Sequence, residues 1–493
     1  MGSAAATPTS WEPTSALGAG REAFRNLERW LCSRASRTLS ISAIERETEQ
    51  RGREGMRLLV QAHVDGYGIG DVGPALYIAM PDAAPALLTH RRIQTRRLHT
   101  VFGTVFIRRV GYGKRGQYSL HPLDATLELP SRIYSYELQR RLVKAALQGP
   151  FDEALERVAE STGVEIPKRS AEQIVLEASL DFDEFYAQRS GPACASDDPV
   201  LVAAIDSKGI PMVKTEPAQR RIRLQKGEKR NRKRMATVAA VFGQAPQPRT
   251  PQSVVDSLFA CSEPSVERKR STPPQRKRVW ASLLRDKEAF IGDVREEMLR
   301  RDPVGKLPWI IVTDGERGLQ HRVCRQFQDV PLVLDLFHVL EKLWGAAHAL
   351  HTEGSQQAET FVRDRLLRIL NGHVSQVVKG LRQSVTKRKL RGVKHKAMLS
   401  AAGYFYRNRS RMRYNVYLAK GWPIASGSVE GACKNLVKDR MERSGMRWTP
   451  AMAEAMLRLR ATYLSGDFEE YWAFHVRQEQ RRLYPCPVAV VAK

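Results

Sequence analysis

The chain has 493 residues, 42% of them hydrophobic, and 80 Lys and Arg against 53 Asp and Glu leave a net charge of +27. That length allows roughly two to four domains with a large core and excludes wholesale disorder, and no stretch is long and apolar enough to suggest a bilayer-spanning helix. The charge predicts salt-sensitive association with a polyanion, and a ribosomal or membrane-surface partner would account for it as well as DNA would.

The N-terminus MGSAAATPTSWEP lacks a basic-then-apolar secretory pattern, and Ala6 stands where a myristoylation signal wants Ser or Thr. The six cysteines are far apart and form no CxxC pair, which disfavours a zinc finger and suits a reducing cytoplasm. Residues 1–20, rich in Ala, Ser, Thr, Pro and Gly, predict an unfolded tail. Arg21–Cys32 has helical spacing through Phe24, Leu27, Trp30 and Leu31. Over Thr100–Leu129 the pattern alternates and is punctuated by Gly111, Gly113 and Gly116, which predicts a basic β-hairpin within a region spanning 21–135. A mainly helical N-terminal part with one small β element is therefore expected.

Residues 136–195 read as a helix-turn-helix-like region. Asp152–Glu160 is a helix stopped by Gly163, and Ser170 with Gln173 makes a capping-box pattern ahead of a second helix. The pair suits DNA reading or an ordinary helical packing unit.

A mixed α/β domain follows over 196–350. Strands are predicted at Val200–Ile205, Ile210–Lys214, Met235–Phe242, Trp309–Thr313 and Pro331–Leu334, with helices at Trp280–Arg300, Gly318–Phe327 and Phe337–Leu350. Three strands, then helix, strand, helix, strand and helix, is the element order of an RNase H-like fold. Its first and fourth strands are neighbours, which would set Asp206 beside Asp314. Each Asp closes a short apolar run, and ligands gather beyond the carboxyl ends of strands in open α/β sheets. Two acids there could share divalent ions, although either alone could simply start a loop or cap a helix.

Basic insertions interrupt this domain over 215–280. Arg220–Arg234 holds nine basic residues and one acid, and Arg220, Arg221, Arg223, Lys229, Arg230, Arg232, Lys233 and Arg234 are candidate contacts to DNA phosphates. Arg268, Lys269, Arg270, Arg276, Lys277 and Arg278 follow, and charge runs of either kind are often only solvated loops. Residues 351–420 are helical and basic. There Tyr404, Phe405, Tyr406, Tyr414 and Tyr417 interleave with arginines, which suits base stacking or the segment's own core. Residues 421–475 supply the last helices and 476–493 a tail. Glu430 falls in the first turn of a helix over Ser428–Arg443, with Lys434 four residues on as a possible ion-pair partner. Trp448 either packs or stacks on a base.

The strings AIDSKGIP, IIVTDGERGLQ, LVLDLFHVLEKLW and SGSVEGACKNLVKDRMERSGMRW resemble the DDE transposases of bacterial insertion sequences, most closely the ISKra type, over about Arg96–Tyr471. The resemblance implies an RNase H-like catalytic core split by a helical insertion, with Asp206, Asp314 and Glu430 as catalytic and metal-binding acids. The 116-residue interval from Asp314 to Glu430 fits such an insertion. Asp335 and His338 would be accessory, or Asp335 would merely cap the following helix. The implied cofactor is a pair of Mg²⁺ or Mn²⁺ ions. Implied partners are double-stranded DNA, both terminal repeats and target, with no membrane and a homodimer or higher oligomer on DNA. The implied place is the bacterial cytoplasm at the nucleoid. A non-catalytic transposase-derived DNA-binding protein and a structure-specific nuclease are the alternatives; the charge disfavours a glycosidase.

Overall fold

The computed structural model describes residues 17–80, 83–114, 119–189, 200–213, 233–259 and 274–484. The chain divides into two compact units, one holding residues up to Asp181 and from Glu469 onward, the other Phe182–Phe468. No described helix is long and apolar enough to cross a membrane.

In the first unit, α1 (Gly18–Leu31) packs on α2 (Ile41–Asp65), and a Cβ at Gly20 would overlap Leu59. The long α2 was not expected: its sequence is dense in Glu and Arg, which masks the thin apolar stripe. Two hairpins follow, β1 (Leu76–Met80) with β2 (Ala83–Leu88) and β3 (His90–Thr100) with β4 (Gly103–Gly113). The second turns at Val101–Phe102, because Thr100 pairs with Gly103, and not at the later glycines. Gly103 takes the left-handed backbone (φ +123°) that closes the turn.

Helices α3 (Tyr136–Gln148), α4 (Phe151–Thr162) and α5 (Lys168–Ala178) pack on one another. Gly163 ends α4 in a left-handed cap (φ 69°), as its position suggested. Ser170 is not a cap; α5 starts earlier, from Pro167. The final helix, Phe468–Leu483, returns to this unit from Glu469, and Tyr471 donates its hydroxyl to the Ala178 carbonyl (2.5 Å).

The second unit begins with α6 (Phe182–Gln188) and is built on a mixed five-stranded sheet in the order β7–β6–β5–β8–β9. Its strands are β5 (Val200–Pro211), β6 (Lys233–Gln244), β7 (Gln275–Ser282), β8 (Trp309–Thr313) and β9 (Leu332–Leu334). The two strands expected at 200–205 and 210–214 are one, since Ser207, Lys208 and Gly209 stay in register against β6. The third strand is instead β7, part of it expected to be helix; the charged QRKR at its start conceals the strand period. Val200–Ile205 is buried throughout, as a central strand covered on both faces requires.

Helices α7 (Pro251–Phe259), α8 (Lys287–Arg301), α9 (Arg317–Gln326) and α10 (Leu336–His348) alternate with the later strands. After α10 comes a helical segment of α11 (Gln356–Leu370), α12 (Val374–Lys387), α13 (Gly392–Asn408) and α14 (Tyr414–Ala419). Phe405, Tyr414 and Tyr417 are core residues of this segment, while Tyr406 is exposed. The chain then returns through α15 (Gly427–Ala432), a π-helical turn at Cys433–Lys438 and α16 (Pro450–Ser465). Both α15 and the π turn pack on β5, and α16 on β7. Trp448 is packed rather than free, donating its indole N–H to the Met441 carbonyl (3.0 Å).

Candidate metal centre

Strand register builds this site. Ile205 lies opposite Thr313 on parallel β5 and β8, and Thr313 opposite Leu334 on parallel β8 and β9. Asp206, Asp314 and Asp335 each come next in the chain, so Asp314 and Asp335 stand just past the ends of β8 and β9, beside Asp206 at the point where β5 outruns its pairing with β8. His338 follows in the first turn of α10. Among the described residues, Asp206, Asp314 and His338 can each offer one ligand atom, and those atoms lie within 4.8 Å of one another.

The three aspartates are held differently. Asp206 Oδ1 accepts the neighbouring Ser207 N–H (2.6 Å), and its Oδ2 accepts the Cys433 thiol (3.3 Å) from the π turn. Burial, then the Asp206 charge, pushes the Cys433 thiol up, so it stays protonated and serves as a donor. Asp314 Oδ1 accepts the Glu316 N–H (3.0 Å), and its carbonyl accepts from Gln320 Nε2 (2.9 Å). Burial raises the Asp314 carboxyl above its ordinary range and the Asp206 charge adds to it, against the Glu316 N–H. Gly315 is required next to it, because a Cβ there would overlap the Tyr404 ring of α13.

Asp335 is 1% exposed and its carboxylate is spent on structure. It caps α10 through the Phe337 N–H (2.9 Å) and accepts both the N–H (3.3 Å) and the hydroxyl of Ser426. Ser426 is the N-cap position of α15, the helix that carries Glu430, so Asp335 ties that helix to the strand ends. Glu430 stands outside the group gathered within 4.8 Å. Its carboxyl is nevertheless raised, by burial first, then by the charges of Asp335 and Asp206, with His338 opposing. Among the described residues it has no ion pair, with Lys434 or any other cation.

Of the expected DNA contacts, Arg220, Arg221, Arg223, Lys229, Arg230 and Arg232 lie outside the described residues, as do Arg268, Lys269 and Arg270. Lys233 and Arg234 open β6 with exposed side chains, and Lys233 pairs with Glu442 (2.6 Å). Arg278 is structural: it is buried, paired with Glu297 (2.5 Å) and stacked 3.5 Å from the Tyr186 ring centroid. Sequence reasoning missed the Cys433 donor, the Ser426 tie and the Tyr404–Gly315 contact. All three join segments far apart in the chain, and no local pattern announces them.

Two carboxylates and an imidazole within this reach make a donor set that could hold a divalent cation, and such a cation would offset both the burial and the Asp206 charge that raise Asp314. The fold and this cluster define a mixed α/β protein with an acidic candidate metal site at the ends of parallel strands. No family model and no curated protein matches the chain. Among solved structures, the Drosophila P element transposase strand transfer complex is similar over 67% of this chain and 80% of that one, at 10% identity and a TM-score of 0.26.

Proposed function

We propose that the chain is a DNA transposase of the DDE type, of the bacterial insertion-sequence kind, built on an RNase H-like core. The observation that carries this reading is the register placing Asp206 and Asp314 side by side with His338 in reach. The motif resemblance, the sheet order with β5 between β6 and β8, and the charge of +27 support it.

Asp206 and Asp314 would hold the metal, with His338 beside them and Glu430 as the third acid. Oxygen-rich donors suit Mg²⁺ or Mn²⁺, and the imidazole tilts the set toward Mn²⁺. A pair of such ions, when bound, supplies charge stabilisation at the attacking and leaving oxygens of a phosphodiester. The protein's own part is placement, because phosphoryl transfer rests on positioning and electrostatics. Asp335 fixes the start of the Glu430 helix, and Cys433 orients Asp206. The reaction is hydrolysis at an element end, where water oxygen replaces the 3′ oxygen on phosphorus. The released 3′-hydroxyl then attacks a target phosphodiester in line, so that its oxygen replaces the target's own 3′ oxygen on phosphorus and that oxygen leaves as a hydroxyl. Terminal repeats and target DNA are the proposed partners, bound by a homodimer or larger assembly.

The test is strand-resolved mapping of products from element-end DNA incubated with Mg²⁺ or Mn²⁺. Asp206→Asn and Asp314→Asn should each lower cleavage about a hundredfold or more, as loss of several kcal/mol of charge stabilisation implies, and keep DNA binding. Wild-type cleavage by either variant overturns the proposal. Tight binding with no cleavage by the wild-type chain points to a non-catalytic DNA-binding protein, and cleavage without end preference to a nuclease.

A further inference from the structure

Beside the carboxylates, a cleft of about 210 Å³ opens between α9 and the end of α13. Its wall begins at Gly315, the residue after Asp314, and carries Arg317, His321, Arg407 and Arg411 with no carboxylate among the lining residues. We propose that this cleft binds a backbone phosphate of the DNA strand processed at the carboxylate site. The idea rests on the function proposed above and adds where the strand is gripped.

Three features carry it. First, the arginines are unspent. Arg322 and Arg325, on the same α9, reach Glu288 (3.8 and 2.6 Å), and Arg363 and Arg368 on α11 pair with carboxylates. Arg317, Arg407 and Arg411 have no ion pair or hydrogen bond from their guanidinium groups among the described residues. Glu316, next to Arg317, is engaged by Lys287 (2.9 Å). Three guanidiniums converging on one concavity repel one another until an anion sits between them.

Second, the floor of the cleft is built. Gln320 and Asn408 are both buried, at 3% and 4% exposure. Gln320 Nε2 donates to the Asp314 carbonyl (2.9 Å) and to Asn408 Oδ1 (3.2 Å), and Asn408 Nδ2 donates to the Tyr404 carbonyl (3.0 Å). The same side chain therefore braces the cleft and the Asp314 backbone, so an anion held here has a set distance from the acids.

Third, the chemistry selects phosphate. Guanidinium forks match phosphate oxygens bidentately, and the acids alongside need a phosphodiester brought to them against their own negative charge. A cationic cleft one residue away offsets that repulsion. The two walls come from α9 and from the inserted helices, which gives the insertion a direct part in holding the strand.

The experiment uses the full chain with Arg317, Arg407 and Arg411 changed to Gln, singly and together. Two readouts are taken: DNA affinity against salt concentration, and binding and cleavage of DNA carrying a neutral methylphosphonate at each position near the cut. Each phosphate neutralised by the protein contributes about 0.9 to the slope of log affinity against log salt. The triple variant should flatten that slope by about one unit. One methylphosphonate beside the cut should weaken wild-type binding severalfold and leave the variant unaffected. Unchanged slopes in variants that melt like wild type, with the methylphosphonate equally harmful to both, would overturn the proposal. Should the triple variant fail to fold, the single variants and the modified DNA decide the matter in the same way. If the wild-type chain never cleaves yet the slope falls as stated, the cleft stands and the catalytic reading fails. If cleavage is normal in every variant with unchanged slope, the reverse holds.

Discussion

The Asp314 carboxyl is raised because burial disfavours its anion and Asp206 lies beside it. Between the ordinary carboxylate range and the raised value, the folded chain holds a proton there that the unfolded chain has released. Stability therefore falls as pH climbs through that window, and the loss persists at neutral pH. Asp314→Asn removes the charge while its amide oxygen can still accept the Glu316 N–H. Without divalent cation, the variant should melt above wild type at pH 7, and the two should converge once pH drops below the ordinary carboxylate range. A variant that melts lower at pH 7 would mean that the acid pair is not strained. Both aspartates were legible because each ends an apolar run. His338 was legible only as an accessory, since its reach to the acids depends on how α10 leaves β9. The arginines of the cleft were not singled out as a site, because Arg317 and Arg407 are 90 residues apart and meet only when α13 folds back over α9.

At the scale of elements, the contacts that hold the strand ends together run through two small features. Asp335 closes α10 and the start of α15 at once. Asp335→Ala removes a helix cap and leaves buried Ser426 donors without an acceptor, which should cost about 2–4 kcal/mol. Urea unfolding measures this, with Asp335→Asn expected to recover part of it. Gly315 lets α13 close over the β8 end, and Gly315→Ala forces Tyr404 aside. Overpacking of this kind costs about 1–3 kcal/mol; shortening Tyr404 to Leu in the same chain should restore most of the loss. Strand β8 has the bounds expected of it, because its apolar run is uninterrupted and ends at a turn. The continuity of β5 past Asp206 was hidden by Ser207–Gly209, and β7 by its arginines. Periodicity reports side chains facing a core, and it fails where a strand's polar residues face a partner strand or a neighbouring helix. The π turn after Glu430 had no local signal either, although such turns recur at functional sites.

For the molecule as a whole, a net charge of +27 makes polyanion binding the natural expectation. Arg220–Arg234 is proposed to contact DNA phosphates, and of its described residues Lys233 is already paired with Glu442. Changing Arg230, Arg232 and Arg234 to Gln should flatten the salt dependence of DNA affinity by about two to three units with little change in sequence preference. An unchanged slope would leave the run as a charged surface segment. At its centre, the proposal makes the end of the β5–β8 pairing, where Asp206 and Asp314 lie, a metal site serving DNA strand chemistry. Mn²⁺ binding followed by electron paramagnetic resonance, on the full chain with DNA bound, tests it most directly. Wild type should bind saturably, and affinity should fall with pH as Asp314 and Glu430 take up protons. Asp206→Asn and Asp314→Asn should abolish that binding, and His338→Ala should weaken it by about tenfold to a hundredfold. Saturable binding that survives both Asp changes with wild-type affinity would contradict the claim.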